Sequence, residues 1–267
     1  MILANAPPTH LILSVCAAAA YAWPALLANR LSHRAARAWV AFAWLLHGSV
    51  LAWSLFGEQA HFGFAPAMSV TAWLVAAVYA IESQIYPQLP TRWTLCALGA
   101  AAVLLALFFP GSPMPPTASA WLALHLAFGV ACYGLFGIAV VHAWFMTRAE
   151  ARIRHAEDPH SGLPLLTLER LTYRFVGAGF VLLSATLLAG LLFGDTLYGH
   201  GHAWRWNHKT VFSTLAWLIF AVLLIGRAAF GWRGKRAVHV LYTGSAFLLL
   251  AYIGSRFVME VILGRTA

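Results

Sequence analysis

Charged side chains are scarce in this chain, at 9% of its 267 residues, where a soluble domain carries about 25%. That shortfall excludes an ordinary water-soluble enzyme. Cysteine is scarce too: Cys16, Cys96 and Cys132 lie in apolar runs without CxxC spacing. They read as small buried hydrophobes, which excludes a disulfide frame or a thiol relay. The sequence also lacks a nucleotide-binding glycine loop, an HExxH helix and a nucleophile elbow. Gly231 to Gly234 is a basic turn, not a phosphate loop. Acidic residues number 8 against 17 Lys and Arg. A soluble protein would turn that excess toward nucleic acid, whereas a membrane protein uses it for orientation.

What is abundant is apolar: 61% of residues are hydrophobic, with a mean hydropathy of +0.75. Crossing the hydrocarbon takes about 20 apolar residues as helix. Eight runs approach or meet that length, at about 9–29, 37–56, 65–84, 92–110, 119–146, 171–193, 208–230 and 237–262. An open sheet is excluded because lipid offers its edges no partners. Outer-membrane strands would be shorter and alternating. The expected fold is therefore all-α: a polytopic membrane helix bundle with about eight transmembrane helices, forming a single domain over residues 1–267. The fifth run exceeds the bilayer and should project or tilt. No basic residue precedes the first run and no convincing processing site follows it, so a retained first helix is expected.

Sidedness follows from the basic residues. Arg30, Arg34, Arg37, Arg92, Arg148, Arg152, Arg154, Arg170, Arg174, Arg227, Arg233, Lys235 and Arg236, 13 of the 17, fall on alternate connections of one side. The positive-inside bias then puts both termini, and the 194–207 loop, outside.

Polar residues inside the spans are the functional candidates. His47, His125 and His208 each lie toward the outer ends of their helices and are expected to converge on one outer-leaflet pocket. Neutral imidazoles on opposite sides of a porphyrin complete an iron coordination shell. The alternative at each position is a helix-to-helix hydrogen bond. Near the inner end of the fifth run, His142 reads as interfacial packing. Trp204 and Trp206, beside Asn207, His208 and Lys209, form either a stacking surface or an aromatic belt. Trp217 belongs to the same group, farther down the seventh span. Arg256 and Glu260 are four apart and share a face. They make a structural bridge, or Arg256 contacts an anion such as a porphyrin propionate; Arg205 and Lys209 have the same option at the mouth.

Further stretches carry a resemblance: Leu168-Glu169-Arg170-Leu171-Thr172-Tyr173-Arg174, then Trp204-Arg205-Trp206-Asn207-His208-Lys209-Thr210, Gly231-Trp232-Arg233-Gly234-Lys235-Arg236 and Tyr252-Ile253-Gly254. With these the chain resembles the cytochrome c assembly family, the CcsA-type haem-handling membrane proteins, and within it the YpjD/HemX-like branch. The likeness covers roughly the C-terminal 100 residues, extended by Trp121 to His125. It implies haem as cofactor, with His125 as the first external ligand and Trp204 and Trp206 in the haem-binding tryptophan segment. Two departures stand out. The family's Trp-Asp-Pro-Lys-Glu-Thr is here Trp206-Asn207-His208-Lys209-Thr210, and Arg256 to Gly264 holds no histidine for the second external ligand. His208 is the leading replacement, with His47 a further candidate; Met259 as a thioether ligand ranks below lipid-facing packing.

The resemblance implies haem binding or handling in the bacterial inner membrane, associated with c-type cytochrome assembly, with the tryptophan-rich loop periplasmic. Its partners would be the lipid bilayer and a cytochrome c assembly or haem-metabolism protein, not nucleic acid. No covalent catalysis is expected, because the chain has neither a large external domain nor a CxxC motif. A non-enzymatic scaffold or regulator of haem metabolism is the alternative, favoured by the missing terminal histidine. A small-molecule transporter ranks lowest, since neither a sequence repeat nor an ion relay is evident.

Overall fold

A computed structural model describes residues 8–26, 32–57, 61–85, 93–113, 120–154, 164–193 and 207–264. The fold is an all-α polytopic membrane bundle, with eight helical stretches among the described residues. They are α1 (Pro8–Leu26), α2 (His33–Phe56), α3 (Phe64–Ile85), α4 (Trp93–Phe108), α5 (Ala120–Arg154), α6 (Leu165–Leu192) and α7 (His208–Phe230), and α8 (Gly234–Ile262). Six of them, α2, α3 and α5 to α8, are long and apolar enough to cross a membrane. The fifth run is long, as expected, and α5 continues to Arg154. Arg152 and Arg154 in its last turn suit the negative end of the helix dipole, and Arg148 lies over the Trp144 ring at 4.5 Å.

The chain forms two compact units, residues 1–116 with 256–267, and residues 117–255. In the first, α1 packs on α2 and α4, and α3 packs on the same two helices. Lipid supplies little hydrophobic drive between helices, so small residues and interhelical hydrogen bonds do the joining. Ala17, Ala18 and Ala20 of α1 meet Ala43 of α2 and Cys96 of α4 in one buried cluster. Trp44 of α2 and Trp73 of α3 stack 4.5 Å apart. Each indole N–H donates to the other's backbone carbonyl, at 3.1 and 3.0 Å. These two tryptophans lock α2 to α3. A short antiparallel pair, β1 (His61–Phe62) with β2 (Ser112–Pro113), lies between α2 and α3 and after α4 in the chain. Cys96 and Cys132 are buried as expected, but Cys16 is exposed, on the outer face of α1.

The second unit is also a ring of four helices. α5 packs on α6 and α8, and α7 packs on the same pair. Short connections make neighbours antiparallel, and the contacts agree: Phe136 meets Gly179 while His125, eleven residues earlier, meets Gly190, eleven later. Across the ring's centre, Phe136 of α5 stacks on Phe220 of α7 with centroids 3.8 Å apart and planes 8° from parallel. Both rings lie against glycines, Phe136 on Gly179 and Phe220 on Gly244.

At the end of this unit that the charge bias assigns to the inside, Glu169 of α6 collects two cations. Arg233 donates to it through Nε and Nη2 at 2.8–3.0 Å, and Arg227 lies 2.6 Å away. The carboxylate's hydrogen bonds hold the Arg233 guanidinium above its ordinary pKa. Arg233 reaches back because Gly231 and Gly234 both take positive φ, 63° and 57°, which glycine alone adopts cheaply. Tyr173 Oη donates to Trp232 O at 2.9 Å. Two of the stretches quoted above are thus in direct contact.

Candidate functional site

The up-and-down order of the second unit brings the starts of α5 and α7 to the same end as the finish of α6 and the Leu250–Gly254 turn of α8. His125 sits near the start of α5, and His208 is the first residue of α7. Their depth can be gauged from the Phe136–Phe220 stack, which fixes the register of these two parallel helices. His125 is eleven residues back from Phe136 and His208 twelve back from Phe220. At about 1.5 Å of rise per residue, both backbones lie roughly 16–18 Å from the stack, toward the starts of α5 and α7. The two histidine backbones therefore occupy nearly one level.

Local sequence explains each position. Asn207 caps α7: its Oδ1 accepts from Thr210 N at 3.0 Å and from Thr210 Oγ1 at 3.1 Å. That cap fixes where His208 and Lys209 leave the helix. His208 is exposed and His125 partly buried. The His125 ring lies against Gly190 of α6, whose missing side chain leaves room beside the imidazole. Lys209 Nζ lies 5.7 Å from the Tyr252 ring centre. Tyr252 belongs to a π-helical turn, Leu250–Gly254, an irregularity often found at functional sites. One turn deeper, the Tyr133 hydroxyl donates to Leu248 O and ties α5 to α8.

Other candidates are committed elsewhere. His47 is fully buried in the first unit. As the Nε2–H tautomer it donates to Ser69 Oγ at 2.8 Å and accepts at Nδ1 from Tyr21 Oη at 3.4 Å. Both ring nitrogens are then used by helix-to-helix bonds. Arg256 Nη1 is 3.7 Å from Glu260 Oε1, the i,i+4 bridge, and this pair clusters with the first unit. Trp217 donates to Ser184 Oγ at 2.8 Å and stacks on Phe180, so it serves α6–α7 packing. His142 is buried and packs against Phe175. Trp204, Arg205 and Trp206 lie outside the described residues.

The donor set at this end suits haem: two imidazoles for an iron, an ammonium for a propionate and aromatic surface beside them. Sequence reasoning found both histidines and Lys209 but overlooked Tyr252 and Gly190 as parts of the same end. Tyr252-Ile253-Gly254 had stood out only through the family likeness.

A family model described as cytochrome C assembly protein matches residues 35–263, from the start of α2 to the end of α8. Inner membrane protein YpjD of Escherichia coli is 30% identical over 161 residues, 59% of this chain and 60% of that protein. Cytochrome c biogenesis protein CcsA of Gloeobacter violaceus is 32% identical over 94 residues, 35% of this chain and 27% of that protein. CcsA of Nostoc punctiforme is 33% identical over 88 residues, 33% and 24% of the two chains. The chain thus spans 60% of the length of the YpjD it matches and about a quarter of the CcsA proteins.

Proposed function

Because the chain belongs to the cytochrome c assembly protein family, we propose that it binds or hands on haem at the outer end of the second unit, in c-type cytochrome biogenesis. The observation that carries this reading is the common depth of His125 and His208 on diagonal helices of one bundle. His125 would hold the haem iron, with His208 as its partner. When bound, haem would supply a redox-active iron and a pair of propionates. Lys209 and Arg205 would oppose those carboxylates, and Trp204 and Trp206 would pack on the porphyrin. His47 and Arg256 keep their structural partners. The family match, residues 35–263, runs through both units, and this reading takes residues 1–267 as one functional domain. In the bacterial inner membrane, the basic connections face the cytoplasm and the tryptophan-rich loop the periplasm.

One observation favours a second reading. No histidine follows His239, so a scaffold or regulator of haem metabolism would need no bis-histidine centre. Purification in mild detergent from haem-replete cells separates the two. Haem handling predicts about one haem per chain, a low-spin Soret spectrum, and loss of most of that haem in His125→Ala. His208→Ala should alter the spectrum, whereas His47→Ala and His155→Ala should retain haem. A haem-free wild type, or His125→Ala with wild-type spectrum and occupancy, overturns the reading; the first result favours the scaffold.

A further inference from the structure

At the opposite end of the second unit, a recess of about 500 Å³ is lined by Leu166, Arg170, Tyr173, Arg174, Arg227 and Arg233. We propose that this recess binds a phosphate-bearing headgroup, supplied by an anionic phospholipid of the adjoining leaflet. The positive-inside bias explains why arginines lie on this side, but not why four converge on one recess. Arg170 and Arg174 sit four apart on α6, a like-charge spacing that costs stability unless something neutralises it.

The protein's own carboxylate does not neutralise it. Glu169 is engaged by Arg227 and Arg233, and neither Arg170 nor Arg174 has an acidic partner among the described residues. Among the described residues, four guanidiniums against the Glu169 carboxylate leave three positive charges around the recess. Guanidinium forks match phosphate oxygens in bidentate fashion. Basic pockets between helices at a membrane surface are suited to anionic headgroups. The rim argues for a lipid source over a soluble phosphate: Leu166, the apolar side chain lining it, is 63% exposed. Such a rim suits the start of an acyl chain. This site is independent of the haem reading, since it uses none of the same residues.

The test is lipid retention by the full chain purified in mild detergent, read by native mass spectrometry. Wild type should keep about one phosphatidylglycerol or cardiolipin and discriminate against phosphatidylethanolamine. Arg170→Gln with Arg174→Gln should lower retention by about tenfold or more. Arg34→Gln with Arg37→Gln, which removes equal charge elsewhere, should leave it unchanged. If the double variant fails to elute as a folded species, Arg174→Gln alone is read, with a smaller loss expected. Equal loss in both double variants, or no loss in the first, overturns the site. Displacement of the lipid by millimolar inorganic phosphate assigns the recess to a soluble phosphate and overturns the lipid source.

Discussion

Gly244 shows how much one missing side chain decides. A Cβ there would stand 2.8 Å from Phe220 Cε1 and 3.1 Å from Ile219 Cγ2. Phe220 has nowhere to retreat, because its other face is stacked on Phe136 at 3.8 Å. Glycine to alanine normally gains about 1 kcal/mol of helix propensity, while overpacking a filled core costs about 1–3 kcal/mol. The clash wins. Gly244→Ala should therefore lower thermal stability in detergent, and Phe220→Leu should recover part of the loss. Gly177, with nothing within 4 Å of its Cβ position, is the control: Gly177→Ala should be neutral or stabilising. Matching losses in both variants would show that the Phe136–Phe220 stack does not discriminate between glycines. None of this was legible in the sequence, where Gly177, Gly179 and Gly244 all read as small residues in apolar runs. What separates them is which neighbour each helix turns toward its glycine. By contrast, His125 stands out in the sequence, because a histidine within an apolar run is conspicuous without knowledge of packing, and His208 stands out at the start of one.

Among the elements, the α6–α7–α8 corner depends on Glu169. Its side chain is only 10% exposed while Arg227 and Arg233 are 34% and 51% exposed. The carboxylate is thus the buried member, and it has two partially screened cations to satisfy it. Charge-assisted hydrogen bonds are worth about 1.5–3 kcal/mol when protected, and exposure of the arginines discounts that toward about 1–2 kcal/mol. Glu169→Gln should lower stability by about that amount and leave two close guanidiniums unneutralised. Combining it with Arg233→Gln should cost less than the sum of the separate losses, as expected for contacting residues. Strict additivity, measured as detergent melting shifts, would dissolve the corner as a unit. The eight helices were legible from run length, since spacing and apolarity are local properties. Their partners were not: the Leu168–Arg174 and Gly231–Arg236 stretches stood out separately, and only tertiary contact makes them one corner. The tryptophans were legible as a class but not in their jobs. A belt and an interhelical lock use the same residue type at similar depths.

At the scale of the whole molecule, orientation decides which solvent each end of the second unit meets. The basic residues gather at the end bearing Glu169, while His125, His208 and Tyr252 occupy the end with fewer cations. Moving positive side chains across the membrane against the potential costs about 2.3 kcal/mol per charge per 100 mV. The proposed orientation rests on that bias, and with it the compartment of the histidine end. In a chain carrying Cys16→Ala, Cys96→Ala and Cys132→Ala, a membrane-impermeant maleimide applied to intact spheroplasts should label His200→Cys and spare Ser161→Cys. Permeabilisation should expose Ser161→Cys as well. The inverse pattern would turn His125 and His208 toward the cytoplasm and the arginine recess toward the outer leaflet. Haem could still bind, but delivery to a periplasmic acceptor from that end would be excluded.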